Sequence, residues 1–114
     1  MKIIIPHKAL SVNAAFQGRR FKTKEHKQYC RDVAILLPKD QRISGFVNVH
    51  YKFYLVNWKR TDGGNLEKCL TDILVTAKII DDDRYIMQYI IEKFPAEQED
   101  WIEVEITEFE KEGL

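Results

Sequence analysis

Cysteine is scarce in this chain. Two residues among 114, Cys30 and Cys69, are too few for a disulfide framework and lack the spacing of a metal-binding pair. They are expected to be free thiols in a cytoplasmic protein. No apolar run approaches the ~20 residues that a membrane span needs, so no membrane helix is expected. The opening stretch Met1–Pro6 has one Lys and three Ile but neither the long apolar core nor the small-residue cleavage site of a secretory signal. It reads as the start of the folded domain. Glycine-rich phosphate loops and the GxSxG nucleophile pattern are missing, and Gly63-Gly64 is too short a signal to cradle phosphate alone. His7, His26 and His50 have no HxxxH or CxxC partner, so they are expected to be structural. Neither an internal repeat nor a low-complexity segment is present.

Net charge is also missing: 18 basic residues balance 18 acidic ones. A neutral total argues against nonspecific coating of nucleic acid. The distribution is uneven, however. Residues 1–34 carry a surplus of +6, residues 35–80 a surplus of +3, and residues 81–114 a deficit of −9. Screening over a Debye length of ~8–10 Å lets each patch act nearly alone. The basic end can therefore serve as a local footprint, while the acidic end keeps C-terminal strands solvated.

What is present is a single domain over residues 1–114, with 45% hydrophobic and 32% charged residues. Lys2–Pro6 reads as a short strand that Pro6 stops. His7–Lys22 reads as a loop ending in the basic, partly aromatic tip Gly18-Arg19-Arg20-Phe21-Lys22. Thr23 is placed to cap a helix, with Glu25 in its first turn. Tyr29, Cys30, Val33, Ala34 and Leu37 then recur at three- and four-residue steps up to Pro38. After Gly45, Val47, Val49, Tyr51, Phe53 and Leu55 alternate with Asn48, His50, Lys52 and Tyr54, the signature of a strand. A turn at 61–65 leads to a second amphipathic helix with Leu66, Cys69, Leu70, Ile73, Leu74 and Ala77 on one stripe. Strands are expected over Tyr85–Phe94 and Trp101–Phe109. The order β-α-β-α-β-β predicts an α+β fold, in which two helices cover one face of a small mixed or antiparallel sheet of about four strands.

Acidic junctions bracket the second helix: Asp62 before it, and Asp81, Asp82 and Asp83 after it. The helix is too long for its two ends to share a small site unless strand pairing returns them to each other. Converging carboxylates repel, and a hard divalent cation such as Mg²⁺ would relieve that repulsion. A solvated acidic turn is the plainer alternative. Lys68 can neutralise a phosphate or form an i,i+4 pair with Asp72. Asn65 can cap the helix or bind a ligand. Arg19, Arg20, Lys22 and Lys24, interleaved with Phe16 and Phe21, suit phosphate contacts and base stacking.

The run Lys59-Arg60-Thr61-Asp62-Gly63-Gly64-Asn65-Leu66-Glu67-Lys68, followed by Thr71-Asp72-Ile73-Leu74 and Ile80-Asp81-Asp82-Asp83-Arg84-Tyr85-Ile86, resembles the RusA family of Holliday junction resolvases. The family pattern is D-x-D-N-x-x-K opening a helix, D-x-L within it, and D-D-x-x-[IV] entering the next strand. Pro6, Ser11, Asn13 and the basic loop resemble the family's N-terminal part. The resemblance implies a homodimer that hydrolyses phosphodiesters in branched DNA with Mg²⁺ (or Mn²⁺). It implies Asp62, Asp83 and Lys68 as catalytic residues and Asp62, Asp82 and Asp83 as metal ligands. Asn13, Arg19, Arg20, Lys22, Lys24 and Asn65 would bind DNA. Gly64 departs from the pattern, for it stands where the second acid of D-x-D belongs. Three alternatives follow from the resemblance: Asp82 or Asp81 substitutes, the ion keeps fewer protein ligands and more water, or the chain is a junction-binding dimer with weak or no activity.

Overall fold

The computed structural model describes residues 1–11, 16–17 and 21–110, with 16, 17, 21 and 22 described by backbone alone. The main sheet has four strands: β1 (Lys2–Ile5), β4 (Val47–Leu55), β5 (Ile86–Pro95) and β6 (Trp101–Glu108). Two residues each of β2 (Phe16–Gln17) and β3 (Phe21–Lys22) form a separate antiparallel ribbon. That ribbon lies inside the segment expected to be all loop, where no apolar alternation announces it. Helix α1 (Lys24–Leu36) follows β3, and helix α2 (Glu67–Thr76) lies between β4 and β5. The α+β class and the element order are those expected from the sequence.

The sheet order is β1-β6-β4-β5, with β6 antiparallel to both its neighbours and β4 parallel to β5. A parallel pair cannot be closed by a tight turn and needs a crossover, which α2 supplies. Burial alternates along β4 without exception: Val47, Val49, Tyr51, Phe53 and Leu55 are buried, and the residues between them are half-buried. Ile102, Val104 and Ile106 of β6 and Ile3 and Ile5 of β1 continue the same buried face. Tyr29, Val33 and Leu37 of α1 and its C-cap, and Leu66, Cys69, Leu70, Ile73 and Leu74 of α2 and its N-cap, complete one core.

Local chemistry sets the helix ends. The Thr23 hydroxyl accepts a hydrogen bond from the His26 amide at 3.2 Å, and the chain turns extended at Leu37, as a residue before proline must. Helix α2 stops where Lys78 adopts a left-handed conformation (φ +61°), with the Ile79 amide bonded back to the Leu74 carbonyl at 3.0 Å. Ala34 and Ala77 are exposed and Cys30 is half-buried, so both apolar stripes are narrower than the sequence suggests. Cys69 is buried, and burial raises its thiol pKa to about 11. Both cysteines are free, as expected.

The opposite face of the sheet carries no helix contact from these stripes, and it is charged. Lys52 pairs with Glu103 at 3.2 Å, Lys2 with Glu105 at 4.0 Å, and His50 with Glu92. Glu92, Glu103 and Glu105 of the acidic C-terminal third thus line the side of the sheet away from α2. No helix among the described residues is long and apolar enough to cross a membrane. Phe53 is fully buried at the centre of this arrangement. Truncating it to alanine is expected to destabilise the protein by about 3–5 kcal/mol, read from the midpoint of a urea unfolding curve at unchanged slope.

Candidate active site

The second helix is entered through a 3₁₀ turn, Gly63–Asn65, capped by Asp62, whose Oδ1 accepts from the Gly64 amide at 2.9 Å. Gly63 is buried against β5. A Cβ built there would lie 3.3 Å from Ile91 Cγ2 and 3.3 Å from Lys93 Cγ, so a side chain at this position would have to push its neighbours aside by a few tenths of an ångström. Lys93 holds the same loop from below, its Nζ donating to the Trp58 and Thr61 carbonyls at 2.9 and 2.7 Å. The turn that carries Asp62 is therefore fastened to the edge strand. Its neighbour Gly64 is exposed, and a Cβ there would meet only Asp62 Oδ1 at 3.4 Å, an ordinary contact.

The chain leaves α2 through Asp81, Asp82 and Asp83, and these three aspartates have different fates. Asp81 is tied to the loop before β4: it accepts from the Arg42 guanidinium and, at 2.9 Å, from the Gly45 amide. The Gly45 N–H and then the Arg42 side chain hold its carboxyl below the usual range. Asp81 is thus a structural tie. Asp82 caps a second 3₁₀ turn, Asp83–Tyr85, by accepting from the Arg84 amide at 3.1 Å. That amide, followed by a hydrogen bond with the Asp83 side chain, lowers its pKa. Asp83 points back toward α2, where its Oδ2 lies 3.8 Å from Lys68 Nζ.

Lys68 forms the i,i+4 pair that its spacing allows and a second ion pair that the sequence does not announce. Its ammonium pairs with Asp72 one turn on, at 3.1 Å, and reaches Asp83 across the crossover. The Asp72 hydrogen bond is the chief reason its pKa is raised. All three side chains are about half exposed, and exposed pairs of this kind contribute at most ~1 kcal/mol. Stability does not explain the arrangement. Tyr89 of β5 closes the cluster from the sheet side, its hydroxyl 3.5 Å from the Asp83 carbonyl. Burial first, and then the charges of Glu67 and Asp83, raise the pKa of that hydroxyl.

Beneath this cluster runs a buried polar chain that sequence reasoning missed. The Thr71 hydroxyl donates to Glu67 Oε2 at 2.6 Å and is hydrogen-bonded to the Tyr51 hydroxyl. Thr71 has one proton to give, so Tyr51 is the donor in the second bond. Tyr51 and Thr71 are buried, and the Tyr51 ring stacks on Tyr89 with centroids 6.5 Å apart. The available signal was Thr71 itself, a hydroxyl inside an apolar helix that must find a partner.

The expected DNA-binding residues divide. Asn13, Arg19 and Arg20 lie outside the described residues, and of Lys22 only the backbone is described. Lys24 is exposed at the start of α1, and Asn65 is half-buried at the end of the 3₁₀ turn that leads into α2. An apolar cavity of about 250 Å³ between the helices, lined by His26, Cys30 and Ile73 among others, shares only Asp72 with the Lys68 cluster. Among the described residues no three His, Cys, Asp or Glu side chains converge closely enough to hold a metal ion.

A four-stranded mixed sheet whose parallel pair is bridged by a helix carrying an exposed lysine, with carboxylates at both junctions, defines a small α+β protein with a cluster of polar side chains beside the crossover. The family model Endodeoxyribonuclease RusA matches residues 7–107, most of the chain, and the chain belongs to the RusA family of junction-cleaving endodeoxyribonucleases. No curated protein matches it.

Asp81 carries a pH prediction. Its folded-state pKa is depressed, so its stabilisation is present above the unfolded value of ~3.9 and fades as pH falls below it. Asp81→Asn is expected to lower the urea midpoint at pH 7 and to match wild type near pH 2, checked by paired denaturation curves.

Proposed function

We propose that this chain is a divalent-metal-dependent endonuclease that hydrolyses a phosphodiester in branched DNA, such as a four-way junction, and works as a homodimer. The observation that carries this reading is the placement of Lys68 Nζ 3.8 Å from Asp83 Oδ2, which joins the start of α2 to the entry of β5. Family membership supports the DNA substrate.

No three carboxylates converge among the described residues, so Asp62, Asp82 and Asp83 would hold a hard cation through one or two of their oxygens at a time with water filling the remaining positions, an arrangement that Mg²⁺ accepts. When bound, the ion would supply a Lewis acid and lower the pKa of a water molecule. The chain's own groups do the rest. Lys68, exposed and fully protonated at neutral pH, faces charge that develops on the phosphate. Asp72 holds that ammonium in position. Asn65 sits at the helix start, within the turn that Lys93 and Gly63 fasten, and offers a side-chain amide to the DNA backbone.

Charge orients the substrate. Glu92, Glu103 and Glu105 line the helix-free sheet face and repel phosphate, whereas Lys24, Lys59, Arg60 and the basic loop with Arg19, Arg20 and Lys22 supply cations elsewhere. The homodimer suits a task that needs two symmetric cuts. Among the described residues β5 is paired on one side only, by β4, and exposes Met87, Tyr89 and Ile90. Its ten residues carry one Glu and one Lys, so a second copy can align there without net repulsion.

Gly64 favours a second reading, a dimer that binds junctions without cutting them, since one carboxylate of the family pattern is missing. One experiment separates the two. With a synthetic four-way junction and Mg²⁺ or Mn²⁺, wild type should nick symmetric strands and Asp83→Asn should lose at least ~10²-fold in rate while still binding. Tight binding by wild type with no cutting in either metal overturns the nuclease. In a companion measurement, Arg19→Ala with Arg20→Ala should weaken junction binding and reduce its salt slope by about 2, with the unfolding midpoint unchanged.

A further inference from the structure

We propose that Lys93 is a positioning residue of the nuclease: its ammonium sets the loop that leads into α2, and with it the direction of Asp62. The inference rests on the nuclease reading above and adds a residue outside the motif that runs from Asp62 to Asp83. Lys93 pairs with Phe53 in the parallel register of β4 and β5. Phe53 belongs to the buried face, so the Lys93 stem leaves the sheet on the side that carries α2. There its Cγ lies against Gly63, 3.3 Å from where a Cβ would stand. Close packing of the stem limits its rotamers and brings the ammonium to the loop.

Lys93 Nζ donates to the Trp58 carbonyl at 2.9 Å and to the Thr61 carbonyl at 2.7 Å. Each carbonyl belongs to a planar peptide unit shared with the next residue. The Thr61 bond therefore fixes the plane that contains the Asp62 nitrogen, and the Trp58 bond fixes the plane that contains the Lys59 nitrogen. The Arg60 amide and the Thr61 hydroxyl both donate to the Asn57 carbonyl, at 3.2 and 2.9 Å, and these bonds close the loop on itself. They shape it without aiming it; the bonds from the sheet come from Lys93. Asn57, Trp58, Lys59 and Arg60 are all exposed, so packing does little to hold the loop in place. Lys93 is exposed as well, and polar ties at that depth add little to global stability. Their effect falls instead on Asp62, where a displacement of about 1 Å costs on the order of 10²-fold in rate.

The test is Lys93→Met in the full chain, which keeps the packed stem and removes the donors. Single-turnover cleavage of a synthetic four-way junction in Mg²⁺ or Mn²⁺ is measured beside junction affinity and the urea midpoint. The rate at saturating junction should fall by about tenfold to 10²-fold. Affinity, set by charges that the substitution leaves on the loop, should stay within about threefold, and the midpoint should not move. Trypsin should cut after Lys59 and Arg60 faster than in wild type, because a loosened loop opens more often. Lys93→Arg, which still offers donors to both carbonyls, should recover part of the lost rate. A wild-type rate in Lys93→Met overturns the inference and leaves the nuclease intact. A slower rate that follows a lowered midpoint and resists the Arg variant also overturns it, making Lys93 a brace of the fold. Loss of affinity with an unchanged rate at saturation overturns it too, since Lys93 then acts on binding alone. Wild type that binds the junction without cutting in either metal removes the nuclease reading and the positioning role with it.

Discussion

The parallel pairing of β4 with β5 is the constraint from which the rest of the molecule follows. Two parallel neighbours cannot be joined by a hairpin, so the chain must cross the sheet, and it does so as α2. Asp62, Lys68, Asp72 and Asp83 all lie on that crossover or at its two junctions with the sheet. Ten residues of helix span ~15 Å, which separates the entry at Asp62 from the exit at Asp83 by more than an ion can bridge through backbone proximity alone. One side chain crosses from the first turn of the helix toward the exit. Lys68 leans from the first turn to Asp83, and Tyr89 reaches back down the strand to the same residue.

Holding that geometry takes buried polar chemistry in an otherwise apolar core. A hydroxyl such as that of Thr71 costs about 1–3 kcal/mol if left unpaired on burial, so the bonds from Tyr51 and to Glu67 make its position tolerable. In exchange, α2 is fixed in rotation and along its axis relative to the sheet, which places Lys68 on the side of Asp83. The loop before α2 is fastened separately, by the close seat of Gly63 on Ile91 and by Lys93 bonding two of its carbonyls. The exit is fastened by Asp81 through Arg42 and Gly45. Three independent ties thus surround the one pair, Lys68 and Asp83, whose own contribution to stability is small.

Much of this fold was legible in the sequence. The strict alternation of Val47 to Leu55, the cap at Thr23, the stop at Pro38 and the alternation of Ile102, Val104 and Ile106 all mark local structure, because each depends on a few neighbouring residues. The ordered motif from Asp62 to Asp83 marked the family. The aspartate triplet looked uniform in sequence and is not so in space: one member is a tie, one a cap, and one faces the lysine. The Lys68 pairing with Asp72 was visible from its spacing, whereas its reach to Asp83 was not.

Sequence alone determined which segments form the two helices and the four strands of the main sheet, which face of each is apolar, and to which family the chain belongs. Those properties are written in periods of two and 3.6 residues and in short motifs. Tertiary structure decided that β4 and β5 are neighbours, that Tyr51 meets Thr71 twenty residues on, and that Asp83 rather than Asp81 faces Lys68. Contacts of that kind join residues far apart along the chain, and their partners are chosen by the packing of the whole core rather than by any local pattern.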